Sequence, residues 1–321
     1  MKVKEILPER SHQRMSRDEA KMQILRLKNG VRGLVLESIG PENRKEISGF
    51  LDDCFDAGDE FAHRARDFDA DLCSDGIFQA LRNLWIINSI QAGFGMPVRV
   101  NSSALAYSLL YTYTDNFLDD NTVPRAEKEE FGIAFGRRLA GLDVGSDTDF
   151  FARVSQLVKL VEEEYPRAMY PGVYASLLAI HRAQQDSLRQ RAEADPDILS
   201  LSVRKGGSSV LADGYLVKGT LSSLEQEFCF GYGVFLQLID DLQDVEEDIA
   251  QGSQTFFTRA ADEGALDSIT MQLTAYVHRI LRSVSSAAGT RIGGLTDLIL
   301  QGSNGLILES VALHPLLFSE T

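Results

Sequence analysis

Apolar residues recur every three or four positions along nearly the whole chain, and hardly any stretch alternates as a strand would. The spacing predicts helices over residues 14–28, 43–69, 74–92, 101–119, 125–142, 148–166, 171–192, 208–248, 264–286 and 303–311. Breaks fall at turn-forming residues. Gly93-Phe94-Gly95-Met96-Pro97 separates two helices, Asn101-Ser102-Ser103 offers an N-cap, and 141–148 and 194–202 read as polar or Pro-containing connectors. Gly206-Gly207-Ser208-Ser209 is expected to interrupt or cap a helix just after Lys205. No repeat, low-complexity segment or shift in composition marks a boundary, so residues 1–321 are read as one all-α domain, a helical bundle.

Two acidic clusters interrupt this apolar pattern. In Asp115-Asn116-Phe117-Leu118-Asp119-Asp120, Asp115 and Asp119 are four residues apart and share one helical face. In the segment from Gln237 to Asp248, Gln237, Asp240, Asp241, Asp244 and Asp248 form a stripe at i, i+3, i+4, i+7 and i+11. Most acidic stripes are solvated faces. Here Leu109, Leu110, Phe117 and Leu118 bracket the first cluster, and Val234, Phe235, Leu236, Leu238, Ile239 and Leu242 bracket the second. A helix apolar on nearly every side belongs in a core, where an unpaired charge would sooner take up a proton than remain ionised. Carboxylates of two such helices facing one cavity therefore suggest a hard divalent cation, and magnesium fits because it takes a few carboxylates while also gripping phosphates.

Charge and composition narrow the function further. With 321 residues and 44% hydrophobic content the chain can bury a large core. A formal charge of −15 argues against nucleic acid, whose affinity comes mostly from Lys and Arg. An acidic protein that binds a polyanion needs a cationic bridge, and the clusters offer sites for one. Cys54, Cys73 and Cys229 lack CxxC spacing and read as reduced thiols in a cytoplasmic setting, small core residues and neither a disulfide frame nor a zinc site. The opening Met1-Lys2-Val3-Lys4-Glu5-Ile6-Leu7-Pro8 has no apolar signal-like run, and no stretch reaches the roughly 18 apolar residues of a membrane span, so a soluble protein without a transmembrane segment is expected.

The stretch Phe235-Leu236-Gln237-Leu238-Ile239-Asp240-Asp241-Leu242-Gln243-Asp244, preceded by Gly231 and Gly233, resembles the FQxxDDxxD signature of trans-prenyl diphosphate synthases and their terpene-synthase relatives, the class I isoprenoid synthases. The first cluster resembles that family's first DDxxD, with Asn116 in place of the second acid. The likeness covers residues 75–260, which would form the catalytic core. It implies a helical bundle around a deep central pocket and a homodimer. It also implies a magnesium site built by Asp115, Asn116 and Asp119 on one helix and by Asp240, Asp241 and Asp244 on the facing one. There a prenyl diphosphate would ionise to an allylic cation, with the catalytic weight on Asp115, Asp119, Asp240 and Asp244 and with Gln237 part of the substrate site. Arg125 falls where the family carries the second arginine of a pair. Lys205 resembles the lysine of its Lys-Thr element, with Gly206 replacing the Thr, and Lys218 is the rival for that role. Tyr107 and Tyr111, eight and four residues before Asp115, would line the pocket on the same face; Trp85, Phe228, Phe230 and Phe235 are further candidates.

Departures from the pattern shape the functional expectation. Pro124 replaces the first arginine of the pair, Gln254 stands where a diphosphate-binding lysine is usual, and the upstream text Gln79-Ala80-Leu81-Arg82-Asn83-Leu84-Trp85 has no clear Lys and Arg pair. The first diphosphate site looks retained and the second lost. This resembles a magnesium-dependent terpene synthase, which ionises one linear prenyl diphosphate and cyclises or rearranges the cation. The alternatives are a prenyl diphosphate synthase, by chain elongation or head-to-head coupling, and a catalytically silent helical partner subunit.

Overall fold

The computed structural model describes residues 17–120, 122–145, 148–190, 197–287 and 293–319. Among the described residues there are thirteen α-helices and no strand. In chain order they are α1 (Arg17–Glu37), α2 (Arg44–Phe68), α3 (Ser74–Gly93), α4 (Ser102–Asp119), α5 (Arg125–Leu139), α6 (Asp149–Glu164), α7 (Pro171–Gln190), α8 (Ile198–Lys218), α9 (Ser223–Gln243), α10 (Val245–Gln251), α11 (Phe256–Glu263), α12 (Asp267–Ala287) and α13 (Gly293–Leu313). A 3-10 turn, Pro315–Leu317, follows. No helix among the described residues is long and apolar enough to cross a membrane.

The centre of the bundle is α4, whose residues from Ser103 to Leu110 are all buried. Asn101 caps it, accepting from the Ala104 amide at 3.1 Å, as its place before the apolar run predicts. At its far end the Lys128 ammonium donates to the Leu118 carbonyl at 2.6 Å, placing a cation at the negative end of the helix. The Phe117 ring stacks on Phe150 of α6 and lies against Phe131 of α5, both with centroids 4.8 Å apart, which fixes the turn that bears the first acidic cluster.

The tightest packing joins α8 and α9, and it corrects two sequence expectations. The helix expected over 208–248 is two antiparallel helices and part of a third. Gly219, at φ +78°, ends α8, and Ser222 opens α9 with a capping box in which its side chain bonds the Glu225 amide while Glu225 bonds back. The Ser-x-x-Glu signal is in the sequence, but the apolar run on both sides obscures it. Gly206 and Gly207, expected to break or cap a helix, instead lie buried inside α8. A Cβ on Gly206 would stand 2.4 Å from the Gly233 carbonyl oxygen, and one on Gly233 would stand 2.2 Å from the Gly206 oxygen. The two backbones touch, so these glycines serve packing and leave the helix intact.

Smaller differences have simpler causes. The connector expected over 194–202 ends early, because Asp197 caps α8 through the Ser200 amide. Helix α11 was not anticipated, and α13 is longer than the 303–311 expected. The first three residues of the helix expected over 14–28 lie outside the described residues.

Replacing Gly233 by Ala should lower stability by about 1–3 kcal/mol in chemical denaturation, because the new methyl overpacks against rigid backbone. Helix propensity alone would favour Ala by about 1 kcal/mol, so a stabilised variant would show that the helices separate freely.

Candidate functional site

Antiparallel pairing of α8 and α9 brings the beginning of one beside the end of the other, and α10 with the loop to α11 closes the third side. The result is a polar cleft of about 750 Å³. Asp240, Asp241 and Asp244 line it with Glu247 and Asp248, and Lys205 is the one basic residue on its described wall. The helix carrying the acidic stripe ends at Gln243, with Asp244 shared as the cap of α9 and α10, so the stripe bends and still keeps Asp248 in the cleft. The negative end of α9 adds to this charge.

The acids differ in their surroundings. Asp241 is turned into the α8–α9 seam, accepting from Gln237 Nε2 at 2.8 Å and Ser202 Oγ at 3.1 Å. Burial raises its pKa to about 6 despite these donors. Holding it ionised at neutral pH therefore costs on the order of 3 kcal/mol against an ordinary value of 3.8. Asp240 opens to the cleft and counts as exposed. Its carboxyl is nevertheless walled in enough that poor hydration, and then Asp244 beside it, raise its pKa, while Arg82 and Lys205 oppose the rise.

The first cluster lies on α4, none of whose described residues lines the cleft. Asp115 accepts from Gln184 Nε2 of α7 at 2.8 Å and bonds the Tyr111 hydroxyl. Tyr111 links the motifs: burial and Asp115 raise its pKa most, Asp240 raises it further, and Arg82 lowers it. Below Asp115, a narrow apolar cavity runs between α4, α5 and α7, walled by Tyr107, Tyr111, Leu110, Phe135, Leu177, His181 and Gln184 among others. About 20 Å³ of it is open to the centre of a water-sized sphere, room for a single water.

The other residues singled out by sequence lie as follows. Asn116 is exposed on α4. Asp119 is the last residue of that helix, and its side chain is outside the described residues. Arg125 projects outward, ion-paired with Glu129 of its own helix at 2.8 Å. Lys218 sits at the far end of α8 from Lys205, paired with Glu225 at 2.6 Å and over the Phe94 ring. Gln254 lines the cleft. Phe235 is fully buried and Trp85 is exposed.

Sequence reasoning missed Arg82, Ser202, Gln184 and His181. Arg82 carried a signal: it is a cation inside α3, a helix whose buried residues include Ile77, Ala80, Leu84 and Ile87. The other three are ordinary polar residues that only tertiary contacts single out. One more group was missed. Asp213 of α8 is wholly buried, accepts from Asn83 Nδ2 at 3.2 Å, and is pushed by burial well above the usual carboxylate range. Asn83 also donates to Ser108 Oγ at 3.2 Å, so this polar centre joins α3, α4 and α8 beneath the cleft.

The donors of the cleft fit magnesium by their chemistry. Asp240 and Asp244 are hard oxygen ligands in a region of excess negative charge, and magnesium is commonly held by one or two carboxylates together with waters and phosphate. Among the described residues no group of three or more Asp, Glu, His or Cys side chains stands so as to hold a metal ion. The chain matches no protein-family model and no curated protein.

Two outcomes follow from these acids. Both Asp240 and Asp241 have folded-state pKa values above their unfolded ones, so each takes up protons on folding, and stability falls as pH rises through the window from 3.8 to the folded value. Asp240→Asn should therefore raise the melting temperature at pH 7.5 and leave it unchanged near pH 3. A lower melting temperature at pH 7.5 would show that Asp240 makes a stabilising contact. Magnesium chloride should raise the wild-type melting temperature at pH 7.5 by binding the folded state, and the rise should shrink in Asp240→Asn.

Proposed function

We propose that the chain is a magnesium-dependent class I terpene synthase acting on a single linear prenyl diphosphate. One observation supports this most: Asp115 and Asp240, over a hundred residues apart in the chain, both act on the Tyr111 hydroxyl, Asp240 lining the polar cleft and Tyr111 the apolar cavity. A prenyl diphosphate has the same division into a polyanionic head and an apolar tail.

In this reading Asp240 and Asp244, joined by Asp115 of α4, would hold the ion, which would supply Lewis-acid polarisation of the C–O bond. Lys205 and Arg82 place fixed positive charge near the carboxylates, and that charge favours the departing diphosphate over the intact ester. Lys205 is the better placed of the two candidate lysines, because Lys218 is occupied at the other end of α8. The tail lies along α4 toward Tyr107. The cavity is too tight for it as it stands, so the seam between α4 and α7 must open, and Gln184 is the flexible wall residue whose bond to Asp115 would break first.

Arg82 gives a second reading specific support. Elongation needs cations for a second diphosphate, and Arg82 supplies one that the sequence pattern did not reveal. Incubation of geranyl, farnesyl and geranylgeranyl diphosphates with magnesium, with and without isopentenyl diphosphate, separates the readings by gas chromatography. The expected outcome is inorganic diphosphate plus a hydrocarbon or terpene alcohol from one substrate alone. Longer prenyl diphosphates as the main product would favour elongation, and no turnover with any substrate would favour a silent subunit.

Asp115→Ala and Asp240→Ala should each lower diphosphate release by at least roughly two orders of magnitude. Lys205→Ala should slow it while Lys218→Ala stays near wild type. The reverse order would transfer the leaving group to the other end of α8.

A further inference from the structure

A carbocation formed in an apolar cavity must end by losing a proton or by gaining a nucleophile, and the residues so far assigned do neither. We propose that His181 is the base that ends the reaction: its Nδ1 takes a proton from the cation, and the product leaves as an olefin. The inference rests on the terpene-synthase reading and adds to it a catalytic residue and a product class.

The ring is held in one orientation. His181 lies on α7, 7% exposed, in the wall of the apolar cavity. Its Nε2 is 2.9 Å from the Gly132 carbonyl oxygen of α5. A carbonyl oxygen only accepts, so Nε2 carries the proton, and in a neutral imidazole the lone pair is then on Nδ1. Phe135 meets the ring edge-on, with centroids 5.0 Å apart and planes at 85°. A glycine on α5 allows this seating, since a Cβ on Gly136 would stand 3.0 Å from Nε2. With Nε2 committed to α5, Nδ1 is the ring nitrogen left to take a proton.

The neighbours keep the ring neutral. Burial, then the charge of Arg182 on its own helix, lower the pKa, and the bond to Gly132 opposes them. Around the ring, α5 presents the uncharged Gly132, Phe135 and Gly136. Across the cavity α4 presents the Tyr107 and Tyr111 hydroxyls, both held protonated by burial, with Asp115 beyond Gln184. No carboxylate among these touches the imidazole to hold a proton on it.

The step balances without another reagent. The C–H bond beside the cationic carbon breaks and its electron pair becomes the new C=C bond. The proton goes to Nδ1, and the imidazolium returns it to water when the product leaves. The diphosphate has already taken the electron pair of the C–O bond.

The test uses the full chain and His181→Gln, which keeps an amide N–H for the Gly132 carbonyl but has no basic atom. Normalised to the diphosphate the variant releases, the olefin yield should fall by on the order of 10²-fold and water-captured alcohols take its place. In wild type the olefin share should fall as pH drops and His181 is protonated. An unchanged olefin share in the variant would overturn the proposal, as would a loss of diphosphate release and thermal stability with product ratios intact, the signature of a purely structural histidine. Nitrogen-15 NMR of the ligand-free protein at pH 7 tests it independently of substrate. The neutral Nε2–H tautomer is expected, and an Nδ1–H tautomer or an imidazolium would overturn the base role alone. A wild type that releases no diphosphate from any prenyl diphosphate would remove the terpene-synthase reading and this inference together.

Discussion

The backbones of α8 and α9 meet at Gly206 and Gly233, and the geometry of the cleft depends on that contact. No side chain larger than hydrogen fits between them, so the helices approach more closely than ordinary ridge-and-groove packing allows. The seam continues at Gly214, where a Cβ would stand 2.6 Å from the Cys229 sulfur. Further along, toward the cleft, Ser202 bonds Asp241. A shift along this seam would part Lys205 from the acids of α9 and Ser202 from Asp241. Glycine inside a helix ordinarily costs about 1 kcal/mol relative to alanine, and here the close packing offsets that cost.

That packing holds carboxylates where they are costly. Asp240 and Asp241 both have raised pKa values, and Lys205 is the one basic residue on the described wall of the cleft. The folded protein thus tolerates electrostatic strain at these two carboxylates. The pair bonded to Asp115 works differently. Gln184 and Tyr111 hold that carboxylate at the head of the apolar cavity, so the first motif is supported by hydrogen bonds and the second by packing. The buried centre of Asp213, Asn83 and Ser108 ties α3, α4 and α8 together by hydrogen bonds.

The sequence by itself determined the all-α class, most helix positions, the cap at Asn101 and the sharing of a face by Tyr107, Tyr111 and Asp115, because each follows from the 3.6-residue period and from local hydrogen bonding. It also carried the break at Gly219 and Ser222, although the apolar run across it made one long helix look more natural. Tertiary structure alone decided that Gly206 and Gly207 are packing residues and not a helix end, because a glycine signals conformational freedom in the same way whether it serves a turn or a close approach. It decided as well that Lys205 and not Lys218 faces the acids, since both sit on one helix and only the pairing with α9 tells its ends apart. Arg82, Gln184, Ser202 and His181 join the site through contacts between residues far apart in the chain, and spacing along one helix carries no trace of such contacts.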